Sequence, residues 1–222
     1  RFYEINWQSK NVNKRKKWMW YFEPEIDEKI VEFTIHLAKE LSGYLEGLPV
    51  VRSIYFWNSF PKEKSDIYSG SQLFHMDNND WRQIRFFYAI ESIDAFNGSP
   101  EYIPSKISYE IFKKFSSKEK NNSRNNKRPD HFFNEYKNQI IQTEALQDES
   151  FFLDTGNCYH RGSRDMKKAR KVFVIQFMTP FHIHTKIINR NKNLNMPKYI
   201  RNDIEARYVF KYYKNSLPQK GY

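Results

Sequence analysis

The chain has 222 residues, a formal net charge of +11, 18% aromatic residues and one cysteine. A length of this order buries a core without staples, and 19 Phe with 15 Tyr exclude a disordered chain. Cys158 alone excludes a disulfide framework or a multi-cysteine metal site and suits a reducing, cytoplasmic location. No run of 18 apolar residues is present, so no membrane partner is expected. The positive charge is dispersed. Residues 10–17 carry five cations, residues 113–128 carry seven against Glu119, and residues 186–220 carry nine against Asp203 and Glu205. With no zinc finger, recognition helix or Gly-rich RNA motif beside them, nucleic acid is disfavoured. The charge reads as a Lys- and Asn-rich solvated surface, with a mild preference for an anionic small-molecule substrate.

In chain order, residues 1–22 are aromatic and basic without a clean period. Pro24 then opens a helical pattern in which Ile26, Ile30, Phe33, Leu37 and Leu41 share a face, with Gly43 near its end. His36 lies off that stripe and is assigned no role. Strand-like runs follow at 50–57, at 67–76 in more mixed form, and at 84–90, which is apolar apart from Arg85. Asn97-Gly98-Ser99-Pro100 is a turn signal, with a short strand at 101–104 behind it. Residues 116–130 are Asn-, Lys- and Arg-rich and read as a loop or flexible insertion, either a lid over an anionic substrate or a mobile segment. Residues 132–141 suit a short helix, and strand character returns at 151–154 and 172–179. One helix followed mostly by strands predicts an antiparallel sandwich or barrel with helices outside.

His75-Met76-Asp77 is the sharpest local feature. Residues i and i+2 of a strand face the same side, so His75 and Asp77 point into one space. Further on, a strand-like run feeds Gly156-Asn157-Cys158-Tyr159-His160, and an apolar strand opens just behind Arg170. Two imidazoles and one carboxylate form the ligand set of non-haem Fe(II) oxygenases. Three protein ligands on one face leave three positions, two for a chelating keto acid and one for O₂. A buried Arg supplies a bidentate partner for the keto acid's far carboxylate. Asp77 is the only anionic ligand of the set, which argues against halogenation through a ligand vacancy.

The spacing resembles the phytanoyl-CoA dioxygenase-like branch of the Fe(II)/2-oxoglutarate oxygenases. That branch carries H-x-D at one strand end, a distal His, and an Arg about ten residues later at a strand start. Here His75, Asp77, His160 and Arg170 stand at the matching positions, and residues 84–104 (IRFFYAIESIDAFNGSPEYIP) match the strand and turn that follow H-x-D. The resemblance covers about 50–180. The family's Gly-Ser-His after that Pro is replaced by Ser105-Lys106, which touches no ligand. The resemblance implies a mostly β fold with flanking helices, a double-stranded β-helix or cupin-like jelly roll. It implies Fe(II), 2-oxoglutarate and O₂ as cofactors, release of succinate and CO₂, and hydroxylation of a small organic substrate. It implies one domain, with a core at 50–180, a brace at 1–49 and a basic extension at 181–222. It also brings secondary candidates: Gln72, Tyr88 and Ser163 against the keto acid, and Trp81, Arg82 and Arg161 toward substrate.

Competing readings are weighed on the same residues. Arg161 and Arg164 compete with Arg170 but stand nearer the histidine. His182 and His184 form a second i, i+2 pair, without a carboxylate near them. A cupin-like dioxygenase or isomerase without keto acid would need no deep cation at Arg170. A non-catalytic basic binding module would need none of the three ligands.

Overall fold

The computed structural model describes residues 13–16, 19–22, 24, 26–61, 68–116, 127–162, 164–181, 203–211 and 213. The strands are β1 (Asn13–Lys16), β2 (Met19–Phe22), β3 (Val50–Ser59), β4 (Gln83–Ala89), β5 (Glu101–Tyr102), β6 (Ile141–Gln142), β7 (Ser150–Leu153), β8 (His160–Arg161) and β9 (Arg170–Met178). The helices are α1 (Glu28–Leu41), α2 (Ser105–Ser116) and α3 (Ile204–Val209). One sheet runs β1-β2-β3-β9-β4-β7 and a smaller one β6-β5-β8, with antiparallel neighbours throughout. The fold is therefore mostly β with flanking helices, in a jelly-roll arrangement. No described helix is long and apolar enough to cross a membrane.

Period-two alternation sets the layers. On β9, Phe173, Ile175 and Phe177 face outward and pack with Ile84 and Phe86 of β4 and Val51, Ile54 and Phe56 of β3. Helix α1 covers this face with Ile30, Val31, Leu37, Ala38 and Leu41, and α3 adds Ala206 and Val209. Asp27 starts α1 by accepting a hydrogen bond from Ile30 N at 2.8 Å, which satisfies one otherwise orphaned donor. Each fully buried aliphatic here, such as Ile30 or Ile175, contributes about 1.5–3 kcal/mol relative to exposure. Among the inward side chains of β9, Val172 and Val174 pack with Phe87, Ala89 and Leu153. A third core lies behind the small sheet, where Phe74, Met76, Ile103 and Tyr159 meet Ile111 and Phe115 of α2 and Phe133.

The structure departs from the sequence reading in four places. Residues 13–16 and 19–22 pair as a hairpin on the edge of β3. The expected strand at 67–76 is instead a 3₁₀ turn at Gly70–Gln72, closed by a capping box between Ser69 and Gln72, followed by isolated bridges at Phe74 and His75. Gly70 there has φ of 62°, a left-handed conformation suited to glycine. Helix α2 forms where the sequence reading assigns no element, and its Ile107, Ile111 and Phe115 repeat every four residues behind Pro104. The expected helix at 132–141 is 3₁₀ over Asp130–Gln139, with Phe133 as its buried residue. Most of the basic loop, 117–126, and most of the C-terminal extension, including His182 and His184, lie outside the described residues.

Candidate metal centre

Two chain segments build the centre. His75 and His160 exchange backbone hydrogen bonds, His75 N to His160 O at 3.1 Å and His160 N to His75 O at 2.9 Å. This reciprocal bridge sets the imidazoles side by side, 4.4 Å between ring centroids. Asp77 N bonds Thr155 O at 2.7 Å, tying the carboxylate to the same pair of segments. Alternation does the rest: Met76 and Tyr159 point into the α2 core, so His75, Asp77 and His160 point the other way. Ser108 of α2 braces this strand, accepting from Tyr159 N at 2.9 Å while donating to Ile103 O at 2.7 Å.

The ligating atoms of His75, Asp77 and His160 all lie within 4.8 Å of one another, and all three residues are buried. His75 Nδ1 is 2.8 Å from Leu73 O and His160 Nδ1 is 3.0 Å from Cys158 O. Each Nδ1–H thus donates to a carbonyl, which fixes the tautomer and leaves Nε2 as an acceptor for a metal. Asp77 Oδ1 stands 3.8 Å from His75 Nε2. Its other oxygen is held by Arg85 Nη2 at 2.7 Å and Gln83 Nε2 at 2.9 Å. Gln83 also donates to Thr155 Oγ1 at 2.7 Å and accepts from Gln176, which in turn accepts from Ser53 Oγ at 3.2 Å. One carboxylate oxygen is therefore fixed from behind while the other faces the histidines. Two neutral imidazoles and one carboxylate so arranged suit a divalent first-row ion.

The electrostatics agree with that use. Burial holds His160 down to about 3, reinforced by His75 and opposed by Asp77, and burial likewise lowers His75. Both rings are neutral at neutral pH. Burial works against ionisation of Asp77, but Arg85 and the two histidines overcome it and hold the carboxyl well below the usual carboxylate range.

The three residues open on a cavity of about 480 Å³ between the two sheets, within the range of small-molecule sites. Its walls include Tyr55, Trp57, Phe87, Leu153 and Val174. Arg170, the first residue of β9, also lines it; it is 4% exposed, and burial lowers it to about 10, so it stays cationic at neutral pH. Its Nη1 donates to the carbonyl of Gly98, the left-handed residue (φ 68°) that closes the Asn97-Gly98-Ser99-Pro100 turn.

Other predicted site residues are placed differently. Arg161 lines the cavity but is committed to Glu101 at 2.5 Å and Asp130 at 2.7 Å, and its guanidinium covers Phe74. Gln72 is fully buried and accepts from Ser69 N in its own capping box, so Ser71 lines the cavity in its place. Tyr88 is on the wrong face: it shares parity with Ile84 and Phe86, and its hydroxyl donates to Asp148 at 2.7 Å. Trp81 is 66% exposed, and Arg82 pairs with Glu46 and lines a separate outer cavity with Tyr44, Lys106 and Tyr109. Ser163 lies outside the described residues. Sequence reading missed Arg85 and Gln83. The available signal was two polar side chains, spaced i and i+2, in the strand after H-x-D.

Neither a family model nor a curated protein sequence matches the chain. The chain is similar at low identity to several solved structures. HygX from Streptomyces hygroscopicus, solved with nickel and 2-oxoglutarate bound, is 9% identical with a TM-score of 0.49, covering 77% of this chain and 73% of that one. SnoK, a non-haem α-ketoglutarate-dependent carbocyclase from nogalamycin biosynthesis, is 11% identical with a TM-score of 0.49, covering 73% and 64%. AviO1 from Streptomyces viridochromogenes Tue57 is 15% identical with a TM-score of 0.42, covering 66% and 58%. The chain thus spans less than two thirds of the length of AviO1 and SnoK.

Proposed function

We propose that the chain is a non-haem Fe(II)- and 2-oxoglutarate-dependent oxygenase, of the phytanoyl-CoA dioxygenase-like branch, that hydroxylates a small organic substrate. The observation that carries this reading is the orientation of the triad. Both histidines are locked by backbone carbonyls through Nδ1, and Asp77 is locked through Oδ2, so the remaining donors face one point. A structural His–Asp cluster has no need for three donors converging within 4.8 Å of one another. His75, Asp77 and His160 would hold the iron, and Arg170 would hold the distal carboxylate of 2-oxoglutarate as a bidentate partner.

When bound, iron with 2-oxoglutarate and O₂ supplies the oxidising power to break a substrate C–H bond, releasing succinate and CO₂. The protein's share is positional. Arg85 and Gln83 keep Asp77 ionised and fixed. Tyr55, Trp57, Phe87 and Val174 give the cavity apolar walls that exclude water and orient the substrate.

The test has a binding arm and a turnover arm. Wild-type protein is expected to retain one iron per chain, measured by elemental analysis, and to release succinate from 2-oxoglutarate under air. A protein that takes up no divalent metal refutes the triad. One that takes up iron but shows no affinity for 2-oxoglutarate refutes the co-substrate and leaves a keto-acid-free metal enzyme.

A further inference from the structure

Strand β3 holds one residue more than its partner β9 along the same stretch. Val51 pairs with Phe177 and Ser53 with Gln176, and Arg52 has no partner residue. This is a β-bulge, which redirects a side chain without ending the strand. Its effect shows in the facing pattern. Val51 and Ile54 both pack outward under α1, whereas Arg52 and Ser53, consecutive in sequence, both line the cavity. In a regular strand two neighbours cannot share a face.

The residue so redirected is a cation that makes no ion pair among the described residues. Arg52 Nη1 is buried and has no hydrogen-bond partner among the described residues. A desolvated guanidinium nitrogen without a partner is destabilising and calls for a partner from outside the chain, a water or a ligand. Arg52 lines the same cavity as the triad and lies within electrostatic reach of Tyr55, Arg85 and Asp77, which puts it near the metal centre.

Charge bookkeeping over the cavity gives the ligand's sign. The lining contains Arg52, Arg85, Lys127, Arg161 and Arg170, against Asp77 as its acid. Arg161 is neutralised by Glu101 and Asp130 from outside the lining, and Arg85 by Asp77. Iron(II) and doubly ionised 2-oxoglutarate, under the function proposed above, cancel each other's charge. That leaves Arg52, Lys127 and Arg170 as the excess cations of the lining, and with Arg170 assigned to the co-substrate, Arg52 and Lys127 still face the cavity without an ion pair among the described residues.

We propose that Arg52 is a specificity-determining residue that binds an oxyanion of the primary substrate, a carboxylate or a phosphate, beside the metal centre. This rests on the oxygenase reading, and the test separates the two. The probes are acetate and inorganic phosphate, titrated calorimetrically and without O₂ into protein loaded with Fe(II) and 2-oxoglutarate. One of the two is expected to bind the loaded wild type, and which one identifies the group. Arg52→Met should weaken that anion roughly 10- to 100-fold, as for losing a charge-assisted hydrogen bond, with Arg52→Lys in between. Affinity for 2-oxoglutarate should stay within about twofold. The metal-free Arg52→Met protein should melt at or above the wild-type temperature, because the variant removes a half-buried cation whose buried Nη1 has no hydrogen-bond partner to lose among the described residues.

Four results overturn the proposal: no uptake of either anion by loaded wild type, equal uptake by Arg52→Met, a lower melting temperature of metal-free Arg52→Met, or loss of 2-oxoglutarate with the anion retained. The last would make Arg52 the co-substrate's arginine. Failure of the wild type to bind iron and 2-oxoglutarate would overturn the oxygenase reading, and this proposal with it.

Discussion

Replacing Arg85 by Met tests how the centre is held before metal arrives. Arg85 Nη2 lies 2.7 Å from Asp77 Oδ2, and the two side chains are 18% and 11% exposed. Met keeps most of the apolar stem and removes the charge. Asp77 would then be a buried carboxylate with Gln83 as its remaining polar anchor on that oxygen. Breaking a buried pair from one side costs about 3–5 kcal/mol, and the residual exposure of Arg85 places this case near ~3. For a chain of this length that lowers the melting temperature by about 6–12 °C in metal-free protein. A divalent ion would return a counter-charge to Asp77 and would no longer face a guanidinium across the carboxylate. The rise in melting temperature on adding Ni(II) should therefore be larger in the variant than in the wild type. The assay is thermal unfolding by circular dichroism with and without Ni(II). Unchanged metal-free stability would refute the pairing as a stabilising contact. A smaller Ni(II) shift than wild type would refute the compensation argument and make Arg85 chiefly an orienting group for ligation.

Asp77→Ala removes the only anionic ligand of the triad and should abolish both iron retention and succinate release; full iron content in that variant would sink the assignment. Arg170→Lys keeps the charge but not the fork, and should weaken 2-oxoglutarate by about 2–4 kcal/mol, roughly 30- to 1000-fold, while iron affinity measured separately changes little. Metal-free protein should lose stability as pH falls from about 6.5 toward 3. Across that window the unfolded imidazoles take up protons that folded His160, held to about 3, refuses, and the lowered His75 and Asp77 act with the same sign. A denaturant midpoint flat across that window contradicts the burial of the triad. Cys158, buried and with its thiol pushed up to about 12 by burial and Asp154, should resist iodoacetamide in the native state and react after unfolding.

The parts of the site legible in the sequence are those governed by alternation and by polarity out of context. His75 and Asp77 share a face because they are two apart, and Arg170 stood out at the mouth of an apolar strand. The same rule applied consistently would have turned Tyr88 outward with Phe86 and turned Arg85 inward with Gln83. That error was one of parity, not of missing information. Gln72 failed for a different reason: its side chain is taken by its own backbone cap, which competes locally with any role in the cavity. Helix α2 was overshadowed by the Asn-rich stretch after it, although its stripe of Ile107, Ile111 and Phe115 needed only the helical period. The bulge at Arg52 was not legible, because an unpaired residue in one strand depends on the register of another strand more than a hundred positions away.

That extra residue also bears on how a cavity of this kind could diversify. Removing Arg52 outright would bring Val51 and Ser53 into consecutive register with Phe177 and Gln176, leaving a regular ladder. Every other inward and outward side chain of β3 would keep its face. A loss or gain of one codon there would thus exchange the cavity's charge while the sheet, the triad and Arg170 stayed in place. If Arg52 reads the substrate as proposed, its preference is separable from folding in the genetic sense, a modular trait carried by a single insertion.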